Sequence, residues 1–383
     1  MEKNNKNLNV PNLRFPEFSE EWEIHKLSEY LDFKNGLNPD AKRFGCGLPF
    51  ISVMDILADR VICYDNIRAK VEATDKEIEC FGVNKGDLLF QRSSETFEDV
   101  GRANVYMDNR TAIYGGFVIR GRKIGNYDPL FFKYLLATPL ARKRTCRMGA
   151  GAQHFNIGQE GLSKISLHFP SIEEQSKIAN LFSLIDERVE TQKKIIEKYE
   201  SLIKGIRYNL LNFNSSARIC KLKDICKITT GKLDANAMEE GGVYPFFTCA
   251  EEPFAINTYA FDTEALLVSG NGANVGYINY CNGKFNAYQR TYVLYDFSVN
   301  IHYVRYYMDV FLRQRIDQEK NVGNTPYIVL STLADMKIRI PSHARQLDIC
   351  RVIKVLETKL TLEIDLYNSY QQIKDFLLRR MFI

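Results

Sequence analysis

Three short stretches of the chain have residue types and spacings that could support catalysis or cofactor binding. Gly270, Gly272 and Gly276 form a G-x-G-x-x-x-G stretch, but nucleotide-binding glycine loops have another spacing and lie within a βαβ unit. Asn324-Thr325-Pro326-Tyr327 differs at its second residue from the Asn-Pro-Pro-Tyr of amino-methyltransferases, and no cofactor loop precedes it. The acid-x-lysine spacing of Glu357-Thr358-Lys359 falls in a long helical repeat. We therefore expect no catalytic residues in this chain.

The composition gives no sign of a metal or cofactor site. The nine cysteines include no C-x-x-C pair, the five histidines are scattered singly, and there is no P-loop. This pattern predicts reduced thiols, no metal and no cofactor, as in a cytoplasmic protein. The chain has no apolar run of about 18 residues or more, and its polar N-terminus has no signal-peptide core. A net charge of +4 permits nucleic-acid binding without requiring it.

Two polar loops occur at matching places in the two halves of the chain. The predicted strand Gly86–Phe90 leads into Gln91–Asp99, Glu264–Val268 leads into Ser269–Asn274, and Val-Gly follows each loop. Each half continues with the same predicted elements: strands at Ala112–Arg120 and Asn286–Leu294, helices at Pro129–Ala137 and Ile301–Leu312, and glycine-bearing loops at Gly149–Ile157 and Gly323–Ile328. Short strands, turns and single helices indicate a mixed α/β domain in each half.

Two long helices with apolar seams must position these loops. From Ile178, apolar residues recur at alternating steps of four and three, which is the a/d spacing of a heptad repeat, with Gln192 as a polar member. Such a helix would extend roughly 50 Å. Adding 171 to each position gives a second seam, with Glu363 in place of Gln192. The predicted seam residues are Ile178, Phe182, Ile185, Val189, Ile196, Tyr199, Ile203, Ile349, Ile353, Leu356, Leu360, Tyr367, Tyr370 and Leu377.

The segments that lead into these helices also repeat. Leu162–Ile178 and Leu333–Ile349 share an alternating strand, Pro-Ser, Gln and Ile at the same offset of 171. Gly36 and Gly231, near the start of each globular part, are 195 residues apart, so the first part is longer by 24 residues. The chain is therefore predicted to be an internal pseudo-repeat. We expect an α+β (mixed α/β) fold in which two similar globular domains are joined by two long antiparallel coiled-coil helices.

The chain resembles the specificity subunit of type I restriction-modification systems. The resemblance is carried by the N-terminal VPNLRFPEF, by Ile165–Asp186 (ISLHFPSIEEQSKIANLFSLID) and by the second appearance of that pattern after Pro341. It covers essentially the whole chain. The second copy departs from the pattern, with Ala344-Arg345 in place of Glu173-Glu174 and Glu357 in place of Asp186.

The resemblance implies a non-catalytic subunit that recognises DNA. Residues 1–170 would be the N-terminal arm and the first target recognition domain, 171–213 the central conserved spacer helix, 214–341 the second target recognition domain, and 342–383 the distal conserved spacer helix. Each domain would read one half of a split target in double-stranded DNA. The helices would set the gap between the halves and dock two methyltransferase subunits. Restriction subunits would join for ATP-dependent translocation and cleavage, and no membrane is involved.

Candidate DNA-contacting residues follow from base chemistry. Arginine reads guanine and asparagine or glutamine reads adenine through paired hydrogen bonds, whereas phosphate contacts position the protein. The side chains of these types in the duplicated loops are Lys34, Asn35, Gln91, Arg92, Ser93, Ser94 and Arg102 in the first domain, and Thr230, Lys232, Asn271, Asn274, Tyr288, Gln289 and Arg290 in the second.

Three other interpretations stay open on the sequence alone. A fused or solitary methyltransferase would need a cofactor motif that the sequence does not have. A non-catalytic coiled-coil scaffold without a role in DNA binding would not explain polar loops duplicated at matching places. A specificity chain of a related, methylation-only system fits the sequence equally well.

Overall fold

The structure, a computed structural model, describes residues 9–151, 154–212, 217–319 and 327–383. Part of the predicted N-terminal arm, parts of the two glycine-bearing loops and most of the Asn-Thr-Pro-Tyr stretch lie outside these residues. The chain forms two compact units. The first unit comprises Met1–Lys193 and Asp365–Ile383, and the second comprises Lys194–Ile364.

The globular part of the first unit contains twelve strands and five helices among the described residues. In chain order these are β1 Glu23–Lys26, β2 Leu31–Asn35, β3 Phe44–Ile51, α1 Val53–Ile56, β4 Lys70–Val71, α2 Asp75–Phe81, β5 Gly82–Val83, β6 Leu88–Gln91, β7 Ser93–Ser94, β8 Ala103–Val105, β9 Ala112–Tyr114, β10 Val118–Lys123, α3 Pro129–Ala137, α4 Pro139–Cys146, β11 Phe155–Asn156, α5 Gln159–Ser163 and β12 Ser166–Phe169.

Two four-stranded sheets form the body of the first unit. One has the order β2-β10-β6-β8 and is antiparallel, and the other has the order β4-β3-β9-β5, with β3 parallel to β9. Helix α3 begins with Pro129 in its first turn, and the Asp128 carboxylate accepts from the backbone N–H groups of Leu130 and Phe131. Its apolar face is buried in a core that includes Trp22, the only tryptophan of the chain.

In the second unit, the described residues between the long helices form eight strands and two helices. After the long helix α6, Ile172–Asn212, come β13 Arg218–Lys221, β14 Lys227–Thr230, β15 Tyr244–Phe247, β16 Phe254–Ile256, β17 Phe261–Ser269, β18 Ile278–Ala287, β19 Thr291–Tyr295, α7 Ile301–Glu319, α8 Leu330–Ala334 and β20 Lys337–Ile340, and then the long helix α9, His343–Arg380.

A six-stranded sheet forms the body of the second unit. Its order is β14-β19-β17-β18-β15-β16, with β15 parallel to β18 and the other pairs antiparallel. The first unit places α1 and α2 between β3 and β6, whereas strands β15 to β17 follow one another without an α-helix in the second unit. This difference accounts for the greater length of the first globular part.

The long helices α6 and α9 run antiparallel to each other within each unit. In the first unit the carboxylate of Asp186 on α6 pairs with Lys374 on α9, 2.6 Å apart. In the second unit Arg207 on α6 pairs with Glu357 on α9. Every seam residue predicted from the heptad spacing is buried or half-buried on its helix. The predicted α+β class with antiparallel long helices is thus confirmed.

A buried glutamine in the first turn explains the repeated segment that leads into each long helix. The side-chain Nε2 of Gln175 donates to the carbonyl of Pro170 at 3.0 Å, and its Oε1 accepts from the backbone N–H of Asp128 at 3.1 Å. Gln346 makes the same two bonds, to Pro341 at 2.9 Å and from Asn300 at 3.0 Å. Asp128 and Asn300 each precede the helix of the globular part, α3 or α7. Each glutamine therefore ties the start of a long helix to the start of a domain helix.

Two predictions of continuous strands are wrong. Ala112–Arg120 is divided into β9 and β10, which belong to different sheets, by a turn that the bond from Val118 N–H to the Gly115 carbonyl closes at 2.8 Å. Asn286–Leu294 is also divided, into the end of β18 and the start of β19 of one sheet, by a turn at Tyr288–Arg290 in which Thr291 N–H donates to the Tyr288 carbonyl at 2.8 Å. The Gly115-Gly116 dipeptide is a turn signal, but the β-branched and aromatic residues on both sides of it favoured the prediction of one continuous strand.

Two further predictions need smaller corrections. The segment Gln91–Asp99 is not wholly a loop, because Gln91 ends β6 and Ser93–Ser94 forms β7, which pairs with β11. The predicted helix at Ile301–Leu312 continues to Glu319 as α7. No helix in the described part of the chain is long and apolar enough to cross a membrane.

Candidate nucleic-acid interface

The polar loop of the first unit begins at the end of β6 and is hydrogen-bonded to two other segments. The backbone N–H of Arg92 donates to the Phe117 carbonyl at 2.9 Å, and the Arg92 carbonyl accepts from Ile157 N–H at 3.0 Å. Ser93 also pairs with Asn156 across β7 and β11. We call the three segments Arg92–Ser94, Gly115–Phe117 and Phe155–Ile157 the first loop cluster.

The second unit brings the corresponding segments together with the same hydrogen bonds. Gly270 N–H donates to the Arg290 carbonyl at 2.8 Å, and the Gly270 carbonyl accepts from Ile328 N–H at 2.9 Å. Asn271 forms an antiparallel bridge with Tyr327. We call the segments Gly270–Asn274, Tyr288–Arg290 and Tyr327–Ile328 the second loop cluster. By these bonds Arg92 corresponds to Gly270, Ser93 to Asn271 and Phe117 to Arg290.

Two glycines that repeat in the sequence allow another segment to approach each cluster closely. A Cβ atom on Gly36 would lie 2.1 Å from the Gly115 carbonyl oxygen, and one on Gly231 would lie 1.9 Å from that of Ala287. Neither position can therefore hold a larger residue without moving the backbone. The segments that follow bridge to the turns, Leu37 to Gly115 and Leu233 to Tyr288.

Two of the residues predicted in the first unit, Arg92 and Ser93, belong to the first loop cluster and make side-chain hydrogen bonds within it. The guanidinium Nη1 of Arg92 donates to the Gly116 carbonyl at 3.4 Å, and the Ser93 hydroxyl donates to the Asn156 side-chain oxygen at 2.5 Å. Both side chains are half-buried. Arg102, next to the cluster in sequence, is exposed and pairs weakly with Asp99 at 3.4 Å.

The four other predicted residues of the first unit make contacts within the fold. Gln91 and Ser94 are buried, and they hold the loop by bonds to the Ser93 carbonyl and from Thr96 N–H. The ammonium group of Lys34 lies 2.9 Å from the sulfur of Cys80 on α2, and Asn35 lies beside Gln159 at the start of α5. All four side chains thus have partners within the protein, and their contact with DNA stays a prediction.

In the second unit the predicted residues lie in the second loop cluster or in the segment around Gly231 that approaches it. The Oδ1 of Asn271 accepts from Cys249 Sγ at 3.0 Å, and the Nδ2 of Asn274 donates to the Cys249 carbonyl at 3.2 Å. Lys232, Gln289 and Arg290 are exposed. The remaining two, Thr230 and Tyr288, are half-buried, and Tyr288 donates its backbone N–H to the Phe247 carbonyl at 2.9 Å.

A basic run on and directly after α4 contacts the far end of the polar loop of the first unit. Arg142 Nη2 donates to the carbonyls of Glu98 at 2.8 Å and Val100 at 2.6 Å, and burial lowers the pKa of its guanidinium. Arg144 donates to the Ser166 carbonyl, whereas Lys143 and Arg147 are exposed. The run thus combines two structural arginines with two cations that are free to approach phosphate.

Three residues in or beside the loop clusters were not among the predicted contacts although they shape the arrangement. Asn156 holds Ser93, Cys249 holds both asparagines of the second cluster, and Phe117 is exposed at the turn between β9 and β10. The Gly115-Gly116 dipeptide could have identified the turn and therefore Phe117. No local pattern marks Asn156 or Cys249, because their partners are distant in sequence.

The chain was compared with known protein families and sequences. The family profile described as the type I restriction modification DNA specificity domain matches residues 19–201 and 215–372. The chain is 43% identical over 129 residues to the type I restriction enzyme EcoDI specificity subunit of Escherichia coli, which covers 33% of this chain and 28% of that protein. It is 23% identical over 184 residues to the EcoKI specificity subunit of E. coli K12, covering 47% of this chain and 39% of that protein. The chain therefore matches less than half of the length of either relative.

Two solved structures resemble the whole fold. The S subunit of a type I restriction-modification system from M. genitalium aligns with a TM-score of 0.63 at 17% identity, covering 98% of this chain and 99% of that one. A chain from a structural study of complex assembly and conformational transition in the type I system aligns with a TM-score of 0.61 at 13% identity, covering 93% and 96%. At these identities the likeness concerns the fold.

Proposed function

We propose that this chain, which belongs to the type I restriction modification DNA specificity domain family, is the sequence-specific DNA recognition subunit of a type I restriction-modification complex. One observation carries the proposal. The two loop clusters share a backbone hydrogen-bond pattern but present different side chains, with Ser93 and Phe117 where the second cluster has Asn271 and Arg290. A common backbone frame that carries different side chains suits two domains that read different bases.

Each loop cluster is proposed to read one half of a split target in double-stranded DNA. Base identity is read through side-chain contacts to base edges, while lysine and arginine contacts to phosphate fix the position. Arg290 and Gln289 can form paired hydrogen bonds with guanine and adenine, and both are exposed. Lys143, Arg147 and Lys232, also exposed, are the proposed phosphate contacts.

The long helices are proposed to set the gap between the two halves of the target. Helix α6 has 41 residues and α9 has 38, and neither is interrupted. A 41-residue helix extends about 60 Å, which exceeds the roughly 34–36 Å of one DNA turn. In this proposal the target recognition domains are 1–170 and 214–341, and the spacer helices are 171–213 and 342–383.

The partners in this proposal are two methyltransferase subunits and, in a system that cleaves DNA, restriction subunits. Methylation and ATP-dependent cleavage would belong to those partners, so the chain itself would be non-catalytic. The relatives named above are specificity subunits, which supports this division of roles. Since its proposed substrate is cellular DNA, we propose that the complex acts in the cytoplasm.

The proposal is tested by selection from a pool of duplexes with a randomised central region. The chain is assembled with its methyltransferase subunits, and bound duplexes are recovered and sequenced. We expect one split motif with a fixed gap, and no motif when the same methyltransferase subunits are used without the chain. Recovery of unselected DNA by the intact complex would contradict the proposal and favour a scaffold without a role in recognition.

A further inference from the structure

Phe117 is an exposed aromatic residue in the first loop cluster. Its side chain is 69% exposed, the largest exposed fraction among the phenylalanines of the described residues. The two residues before it, Gly115 and Gly116, are buried. Phe117 is therefore the one side chain that this turn presents to solvent, although it lies among polar loops.

The turn that carries Phe117 is held from several sides. The Phe117 carbonyl accepts from Arg92 N–H at 2.9 Å, and the Gly116 carbonyl accepts from the Arg92 guanidinium at 3.4 Å. A Cβ atom on Gly115 would lie 2.8 Å from the ring of Phe50, and one on Gly116 would lie 1.8 Å from Asn38 Oδ1. The glycines are thus packed against neighbouring residues, and Phe117 is presented on a preorganised turn, which lowers the entropic cost of a contact.

The second unit has an arginine where the first has Phe117. The turn in the first unit is closed by Val118 N–H to the Gly115 carbonyl, and the turn in the second by Thr291 N–H to the Tyr288 carbonyl, both at 2.8 Å. The third residue of each turn is then Phe117 or Arg290, and the carbonyl of each accepts from the polar loop. The same place in the frame therefore presents a planar donor group in one unit and an apolar ring in the other.

We propose, on the basis of the DNA-recognition function proposed above, that Phe117 is a specificity-determining residue that contacts the C5-methyl group of a thymine in the half-site read by the first unit. A phenyl ring can neither donate to nor accept from a base edge. In the major groove thymine alone carries a methyl group, and phenylalanine is one of the residues that contact it. Arg290 at the equivalent place makes the polar counterpart, a paired hydrogen bond to guanine.

The experiment uses the split motif selected by the assembled complex. Each thymine in the half-site read by the first unit is replaced, one at a time, by deoxyuridine, which lacks only the methyl group. Binding is measured for the wild-type complex and for complexes with Phe117→Ala and Phe117→Leu. Phe117→Ala should fold normally because the side chain is largely exposed, and the thermal unfolding midpoint of the isolated chain checks this.

We expect one deoxyuridine position to weaken binding by the wild-type complex about fourfold, the factor that corresponds to burying one methyl group. Phe117→Ala should weaken binding to the unmodified motif by at least that factor and should remove the effect of deoxyuridine at that position. Phe117→Leu should retain part of it. Selection with Phe117→Ala should relax one position in this half-site and leave the other half-site unchanged.

Three results would overturn the inference alone while the split motif stands. One is a half-site without an A·T pair, and another is binding by Phe117→Ala that equals wild type. The third is a loss of affinity in Phe117→Ala that is equal for thymine and deoxyuridine duplexes, which would indicate a wedge between base steps instead. If the wild-type complex selects no split motif, the proposed function itself fails and the inference falls with it.

Discussion

The hydroxyl of Tyr134, on α3, donates a hydrogen bond to Oδ2 of Asp186, on α6, at 2.9 Å. Lys133 lies 3.2 Å from the same carboxylate, and Lys374 on α9 lies 2.6 Å from it. The second unit repeats the relationship, because the Tyr306 hydroxyl donates to Oε2 of Glu357 at 3.0 Å. The replacement of aspartate by glutamate in the second copy therefore preserves the link between a domain helix and a long helix.

Loss of the Asp186 charge is predicted to destabilise the first unit in a pH-dependent way. Burial raises the pKa of Asp186, but Lys133, Lys374 and the hydrogen bonds from Lys374 and Tyr134 outweigh burial and leave it below its ordinary value. A lowered pKa contributes stability above the unfolded-state pKa, and this contribution is lost as the pH falls through the folded-state value. Asp186→Asn should cost about 2 kcal/mol at pH 7, and the difference from wild type should shrink below about pH 4.

Trp22 provides the measurement for this variant. It is the only tryptophan, it is buried in the first unit, and its ring lies 6.1 Å from that of Phe131. Urea unfolding followed by its fluorescence, at pH 7 and at acid pH, gives the free energy of unfolding around this core. Asp317→Asn, which removes an exposed carboxylate 3.6 Å from Arg313, is the control and should change little. A destabilisation by Asp186→Asn that is the same at both pH values would contradict a stabilising role for the charged Asp186 carboxylate.

The buried Gln175 is predicted to stabilise the junction between α3 and α6. Gln175→Ala leaves the Asp128 N–H and the Pro170 carbonyl without their present partner. We expect a loss of about 2 kcal/mol in the free energy of unfolding, measured by Trp22 fluorescence in urea. Gln372→Ala, on an exposed position of α9, should change the value by less than about 0.5 kcal/mol. Equal effects of the two substitutions would contradict the prediction that Gln175 stabilises the junction between α3 and α6.

Most of the architecture could be predicted from the sequence because it depends on periodic patterns. The heptad seam predicted the long helices, and the 171-residue offset of Gln175 and Gln346 predicted the repeated junction. The loop clusters were predicted less well. Whether a polar side chain is buried depends on long-range packing, so the sequence alone could not show that Gln91 and Ser94 are enclosed or that Lys34 turns toward α2.

Arg290 is predicted to determine one base in the half-site read by the second unit. Arg290→Ala removes an exposed guanidinium from the second loop cluster, and a paired contact to guanine contributes roughly 1–3 kcal/mol of discrimination. We expect discrimination at one position to fall about tenfold or more, with the first half-site unchanged. Competition binding with duplexes altered at single positions measures this. Arg218→Ala, on the exposed start of β13, is the control and should leave both half-sites unchanged. Equal weakening on every duplex would make Arg290 a phosphate contact.

The length of the long helices is predicted to set the gap in the target. Deleting one heptad from each helix, Val189–Ile195 and Asp365–Gln371, keeps the order of seam positions on both sides. Each helix becomes shorter by roughly 10 Å, which corresponds to about three base pairs. Duplex selection should give the same half-sites with a shorter gap. An unchanged gap in a folded double-deletion chain would exclude the helices as the element that sets the spacing.

Mapping of adenine methylation in cells tests the central claim most directly. Cells that supply a methyltransferase subunit of this system are grown with the wild-type chain, without it, and with Arg290→Ala, and methylated adenines are located across the genome. The account predicts one split motif that is methylated only when the chain is present, with the Arg290→Ala variant relaxed in one half of that motif alone. Methylation that is the same with and without the chain would contradict the claim that the two units recognise the target.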